Sequence, residues 1–526
     1  MNIKMWQKGL LLFILFSPAL LFSQTERWIY AIYGDGVAYS VTYGTDGNIY
    51  TVGSSPGVSD DFTVVSLTSS GAERWIYKFN LNGDDIGHSI VSGADGNIYA
   101  SGYSEDTSGY FYLTIVSLDT AGNERWIYQY RESGTAVEPS ARSKIVFGSD
   151  GNIYATGYST NVGFIVSLTT GGTENWVYQC SPAMFYSLVF GSDNNLYGVG
   201  FISEPPSYQR DFMVVSVTNS GTEKWLYRYN SGGDGDMGKS IVYGGDNNIY
   251  AAGRTGSSGA IDFCALSVDT SGNQRWIYPL HQGSEDVAYS LVYGSDGDIY
   301  VGGTVGDPLT MEWTILSFSS SGDTNWSYTY DGPAGEDDWS NSVTYGYDGN
   351  IYTTGWSESS SWSPDLTVIS TDISGNENWV YRGPKGWGWS VVQGSEGNIY
   401  VGGDGWYSET GKGFTVVSIA PTQNIKEREE IAAKKRNGLA KIYPNPFSKS
   451  VIIEYQLSVT SSVSLKIYNR TGQLIKTLVN EKQGFGNHQV TWNANNNTGE
   501  KVPNGVYFCK LECRGFTTSK KVLFIK

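Results

Sequence analysis

Between residues 313 and 406 seven tryptophans stand outside the repeated pattern of the chain: Trp313, Trp339, Trp356, Trp362, Trp387, Trp389 and Trp406. Acids and a tyrosine accompany them, with Asp337, Asp338, Glu358, Asp365, Asp404, Tyr407 and Glu409 close in sequence. Aromatic faces beside carboxylates suit sugar rings: the indole stacks on the apolar face and the carboxylates accept hydrogen bonds from hydroxyls. Protein hot spots use the same residue types. Two neighbouring acids also serve glycoside cleavage when their separation is right. The bland alternative is that these tryptophans turn inward and fill an irregular wall. Trp313 aligns with Phe62 of the first repeat and reads as core, whereas Trp389 aligns with Tyr39 and fits either role. The candidate ligand-binding set is therefore Trp339, Trp356, Trp362, Trp387, Trp406, Tyr407, Asp337 and Asp338.

Other chemistries find little support. The three histidines, His88, His281 and His488, are scattered, which argues against histidine zinc sites and Ser-His-Asp catalysis. Cys180, Cys264, Cys509 and Cys513 form no dense framework; Cys509 and Cys513 fall on one expected strand, too far apart along it to bridge. The repeated Asp-Gly-Asn invites a calcium reading, but a strand follows at once and no Glu recurs at the twelfth position. Gly233-Asp234-Gly235-Asp236 is a better local candidate and occurs once. No catalytic residue, metal ligand set or cofactor is assigned.

The candidate residues must be positioned by a repeat. An Asp-Gly-Asn-Ile-Tyr-like turn recurs at Tyr50, Tyr99, Tyr154, Tyr197, Tyr250, Tyr300, Tyr352 and Tyr400, about fifty residues apart. The first full copy predicts four strands: a, Ser40 to Tyr43; b, Ile49 to Val52; c, Phe62 to Leu67; d, Arg74 to Tyr77. Asp-Gly favours a tight hairpin because Gly accepts positive φ, and the strands are β-branched and aromatic. One such sheet cannot bury both faces, whereas radially stacked sheets bury each other. The chain after residue 23 opens on an orphan strand d, Arg27 to Tyr30, and the last repeat lacks its own. The expected fold is all-β, an eight-bladed β-propeller closed by the N-terminal strand; seven blades with an irregular cap is the competing count. The Trp-x-Tyr tryptophans Trp28, Trp75, Trp126, Trp176, Trp225, Trp276, Trp326 and Trp379 read as blade packing. Strand a is expected to begin at Ser40, Ser89, Ser143, Ser187, Ser240, Ser290, Ser342 and Ser390, small residues where strands crowd the axis. In such blades the d-to-a and b-to-c connections emerge on one face, so Trp339, Trp387, Trp356, Trp362 and Trp406 would share a rim.

Residues 1–23 read as a signal peptide, with Lys4 and Lys8 before an apolar run and no following Cys for a lipid anchor. No later apolar run is long enough to span a bilayer, so an exported, soluble protein is expected. Residues 24–420 would be the propeller, 421–438 a charged linker and 439–526 a small immunoglobulin-like β-sandwich. Residues 24–424 carry 16 Lys and Arg against 45 Asp and Glu, a net charge of −29 within a total of −17. Such a surface repels nucleic acid and favours solubility.

The tail is similar to the type A C-terminal sorting domain of the type IX secretion system. The matching residues are Tyr443-Pro444-Asn445-Pro446-Phe447, the Ile467-to-Gly472 turn, the Gly499-to-Tyr507 stretch with Gly505, and the basic end with Lys520 and Lys521. The resemblance implies a double-membraned bacterium, passage through the periplasm and outer membrane by the type IX machinery, and a surface-attached or released product. The repeats resemble exported bacterial propeller-repeat proteins. Leu118 to Trp126 also looks like the tryptophan-docking motif of quinoprotein propellers, which docks blades without implying the cofactor; no adjacent cysteines accompany it. The expected function is a secreted or surface propeller binding a glycan or protein on the Trp-rich face. The alternatives are a glycan-cleaving hydrolase or lyase there, or a structural adhesive component.

Overall fold

The computed structural model describes residues 24–57, 59–131, 143–159, 162–205, 208–257, 259–308, 310–360, 363–407, 411–421, 438–457, 461–483, 486–513 and 516–525. The chain divides between residues 422 and 423 into two compact units. The signal-peptide reading, Trp362 and most of the linker lie outside the described residues. Among the described residues no helix is long and apolar enough to cross a membrane.

In the first unit each repeat makes antiparallel strands in chain order. Val37–Tyr43, Ile49–Pro56, Asp60–Leu67 and Glu73–Phe79 form the first sheet, and five more four-stranded sheets of the same order follow. A seven-stranded sheet completes the unit, with Asp338–Tyr345, Ile351–Glu358, Pro364–Thr371, Glu377–Gln393, Ile399–Tyr407, Gly411–Pro421 and Gln24–Tyr33 in that order. Glu377–Gln393 is shared: its first part pairs with Pro364–Thr371 and its second with Ile399–Tyr407. Gln24–Tyr33 lies antiparallel on Gly411–Pro421. The innermost strands touch in succession from Val37–Tyr43 through Asp338–Tyr345 and Glu377–Gln393 back to Val37–Tyr43. The unit is a β-propeller.

The repeated residues hold this frame. At the first turn Gly47 takes φ 80°, and the Asp46 carboxylate accepts from Asn48 N and, at 2.7 Å, from the Tyr50 hydroxyl. Asp95, Asp150, Asp193, Asp246, Asp296 and Asp348 hold Tyr99, Tyr154, Tyr197, Tyr250, Tyr300 and Tyr352 alike, and Glu396 takes the role toward Tyr400. All eight tyrosines are fully buried. These carboxylates are thus turn clamps that accept the hydrogen bonds of the buried phenols.

The Trp-x-Tyr indoles fasten neighbouring sheets. Trp75 Nε1 donates to Thr120 O at 3.0 Å in the next repeat, and Trp28, Trp126, Trp176, Trp225, Trp276 and Trp326 make the same reach. Each ring lies over the glycine of the neighbouring turn. At Gly122, where φ is +87°, an added Cβ would stand 2.6 Å from the Trp75 ring. Gly122→Ala therefore combines left-handed strain with a clash against an indole. We expect it to destabilise the propeller by about 2 kcal/mol or more, measured as a lowered urea midpoint at unchanged slope.

The serines at the start of strand a bridge neighbouring inner strands. Ser390, Ser89, Ser240 and Ser290 Oγ accept from Val41, Ile145, Leu291 and Val343 N, respectively, at 3.2–3.3 Å. The third repeat departs from the sequence reading. Ile145 pairs with Ala155 as Val41 pairs with Thr51, so Lys144, not Ser143, takes the serine position. The adjacent Ser-Lys pair and the variable preceding stretch hide that one-residue offset in the sequence.

The second unit has a three-stranded sheet, Gly438–Tyr443, Val451–Leu457 and Gly486–Trp492. Its four-stranded sheet is Leu474–Gln483, Ser461–Asn469, Gly505–Cys513 and Phe516–Phe524. One core joins them, including Phe447, Val451, Leu465, Trp492, Tyr507 and Phe524. The residues of the opening motif grip the last strand: Asn445 bonds Lys521 O and Leu523 N at 2.8 Å, and Phe447 exchanges backbone bonds with Leu523 and Ile525. Tyr443 and Pro444 are exposed, as are Pro446, Lys520 and Lys521. Gly472 takes φ 81° in its turn, and the Tyr507 hydroxyl donates to Pro503 O at 2.7 Å. Cys509 and Cys513 are buried and unbridged, as are Cys180 and Cys264 in the propeller.

Candidate functional site

Just before the serine position, strand a carries a bulge in seven of the inner strands. The register shifts between Ala38 and Ser40, Gly87 and Ser89, Phe185 and Ser187, Gly238 and Ser240, Ala288 and Ser290, Ser340 and Ser342, and Gly388 and Ser390. The residues so displaced are Tyr39, His88, Tyr186, Lys239, Tyr289, Asn341 and Trp389, all half-buried. A bulge leaves one residue out of the ladder and re-aims its side chain. The frame repeats while the re-aimed residue does not, which is how a symmetric scaffold carries an asymmetric site.

Five of these residues, Tyr186, Lys239, Tyr289, Asn341 and Trp389, line a cavity of about 510 Å³ together with Trp339, Trp356 and Trp387. That volume falls within the roughly 300–1,000 Å³ of small-molecule sites. The aromatic wall is continuous. Tyr289 meets Trp339 at 5.6 Å between ring centroids, and Trp339 stacks on Trp356 at 5.9 Å and 12°. Trp356 meets Trp387 at 6.3 Å, and Trp387 meets Trp389 edge-on at 5.7 Å. Sheet register sets this contact order, since Trp339 pairs with Trp356 across adjacent strands and Trp387 lies on the shared strand Glu377–Gln393. The Trp387 amide donates to the Asp404 carboxylate at 2.8 Å, and Asn341 Nδ2 donates to Gly388 O at 2.9 Å. Lys239 Nζ stands 4.3 Å from the Tyr186 ring centroid.

Three expected site residues, Trp339, Trp356 and Trp387, line the cavity. Trp406 sits beside it, 36% exposed and 6.0 Å from Trp387. The backbone of Tyr407 pairs with Gly411; its side chain lies outside the described residues. Asp337 accepts from Met311 N at 3.1 Å. Asp338 is 1% exposed and accepts from Gly332 N. Asp85, Asp236 and Asp286 occupy the same place in other repeats and accept from Leu81, Ser231 and Gln282 N. The second acid of these connections is thus a buried loop clamp. Trp313 is fully buried on strand c. Tyr186, Lys239, Tyr289 and Asn341 escaped the sequence reading; the signal for them was a variable residue directly before the serine position.

Burial raises the Asp338 carboxyl pKa to about 6 from an ordinary 3.8. The folded state then binds more protons than the unfolded chain between those values. Stability from this group is full below pH 4 and declines as pH rises through 6, by on the order of 2–3 kcal/mol. Asp338→Asn removes the titration. Its melting temperature relative to wild type should rise by several degrees between pH 4.5 and 7.5; a constant difference would refute the assignment.

Asp262, His281 and Asp286 bring potential ligand atoms within 4.8 Å of one another. Both Asp286 oxygens already accept backbone amides, from Gln282 and Gly306, and His281 Nδ1 lies 2.7 Å from Asp262. The carboxylate is committed to the loop.

Fold and site together define a β-propeller with an aromatic axial cavity, followed by an immunoglobulin-like domain. Residues 448–514 match the FlgD Ig-like domain family. No curated protein matches the chain. Among solved structures, Sqt1 from Chaetomium thermophilum is 11% identical with a TM-score of 0.50, covering 76% of this chain and all of that one. PorZ, a bacterial surface component of the type IX secretion system of Porphyromonas gingivalis, is 10% identical with a TM-score of 0.25, covering 93% and 81%. An ulvan lyase, a polysaccharide lyase, is 9% identical with a TM-score of 0.38, covering 64% and 93%. The likeness to Sqt1 is one of fold alone.

Proposed function

We propose that this chain is an exported propeller, displayed on the cell surface or released, that binds a glycan in its axial cavity. The observation that carries the reading is the wall of Trp339, Trp356, Trp387 and Trp389 around a cavity of ligand size. Stacked indoles offer flat apolar faces to a sugar ring, and Asn341 and the tyrosine hydroxyls offer hydrogen bonds to its edge. The described lining holds no carboxylate pair of the kind that hydrolyses glycosides. The same proposal reads the seven-stranded sheet as two blades sharing Glu377–Gln393, eight blades in all, with Gln24–Tyr33 as the outermost strand of the last. It reads residues 439–526 as a type IX sorting domain, on the strength of the Tyr443-to-Phe447 opening and the basic end. A glycan-array and polysaccharide screen of the purified protein tests the central claim. Binding by wild type that Trp356→Ala/Trp387→Ala loses, with the fold intact, supports it. Absence of binding to every glycan refutes it.

A further inference from the structure

The charge of the cavity runs against the charge of the propeller around it. Residues 24–424 hold 45 Asp and Glu but only 16 Lys and Arg. A wall sampled from such a surface would present carboxylates. The described lining presents none, and it presents Lys239. Lys239 stands at one of the bulged positions, its ammonium held over the Tyr186 ring. At the other end of the aromatic wall Lys412 Nζ lies 4.5 Å from the Trp387 ring centroid, tempered by Asp404 at 3.7 Å. Lys144 takes the serine position of the third repeat, with its side chain exposed. Lys239 thus places a cation in the cavity wall of a propeller that is otherwise anionic.

Resting on the sugar reading above, we propose that the cavity selects an anionic sugar ring, bearing a carboxylate or a sulfate. The indoles stack on its face and the Lys239 ammonium meets its acid group. A neutral glycan gains only a hydrogen-bond donor from a lysine here, whereas an acid group gains a charge partner as well. Lysine also suits both acid groups, because its point charge imposes no bidentate geometry. The surrounding negative field opposes non-specific adsorption of polyanions, so affinity for one must arise locally.

The test is binding of the purified full chain to two matched pairs: polygalacturonate against its carboxyl-reduced form, and dextran sulfate against dextran. Wild type, Lys239→Ala and Lys239→Arg are compared, with melting temperatures as the control for folding. The expected result is that wild type binds at least one acidic polymer about tenfold or more tighter than its neutral partner, as a charge-assisted hydrogen bond implies. Lys239→Ala should remove that preference and Lys239→Arg retain it. The responding pair tells carboxylate from sulfate. Equal binding of acidic and neutral polymers overturns the charge selection while leaving the sugar reading in place. Binding to no polymer in this test and to no glycan in the array overturns both. The wild-type comparison decides even if Lys239→Ala fails to fold.

Discussion

A chain lacking residues 24–33 should fail to form a stable propeller, with its melting midpoint lowered by more than about 10 °C or the protein recovered as aggregate. The segment makes a full strand, paired from Gln24 opposite Pro421 to Tyr33 opposite Gly413. It also fastens both neighbours. The Tyr381 hydroxyl donates to Glu26, the Tyr30 hydroxyl donates to Glu73 at 2.7 Å, and Trp28 Nε1 donates to Ser69 O while its ring packs 5.8 Å from Tyr400. Removing the segment uncovers Phe414 and Val416, both fully buried, and leaves Gly411–Pro421 as an unpaired edge. Losing Trp28 alone should cost about 2–3 kcal/mol, less than deletion of a fully buried aromatic because the ring is half-buried. A circular permutant that carries residues 24–33 after residue 421 keeps the pairing and breaks the chain elsewhere. It should recover the wild-type midpoint. If the truncated chain melts like wild type, the strand is an ornament and not a clasp.

Replacing Trp356 and Trp387 together should weaken glycan binding by about a hundredfold or more. Central aromatic anchors commonly contribute about 2 kcal/mol or more each, roughly thirtyfold apiece. Both indoles line the cavity, and each supports a neighbour: Trp356 stacks on Trp339 and Trp387 stands edge-on to Trp389. The pair is half-buried, so the fold should survive at a modest cost. Trp387→Phe keeps an aromatic face and should retain much of the affinity. Equal binding by wild type and the double variant, measured calorimetrically on a glycan found in the array, would move the site off the axis.

The frame was legible because it repeats. Asp-Gly-Asn-Ile-Tyr announces a hairpin whose Gly47 needs positive φ, and Trp-x-Tyr announces an aromatic that packs against the neighbouring sheet in every repeat. Trp339, Trp356 and Trp387 were legible because they break it. The rest of the wall was not, for two physical reasons. Tyr186, Tyr289 and Asn341 are ordinary strand residues by type, and only the bulge beside each serine re-aims them; a bulge is a matter of register, which one strand's sequence does not display. Asp338 misleads in the opposite sense. An acid next to tryptophans reads as a ligand contact, yet the Gly332 amide claims it and the strand buries it.

Glu377–Gln393 runs as one strand where a loop would separate neighbouring sheets, and it carries Trp387 and Trp389. Those two indoles are therefore mounted on a hydrogen-bonded beam. Little conformational freedom remains there for a ligand to freeze out, so association should proceed without a slow rearrangement and depend weakly on solvent viscosity beyond diffusion itself. The same stiffness fixes the spacing between the two rings as a ruler, one that admits ligands by fit and has little capacity to remould itself around a wrong one.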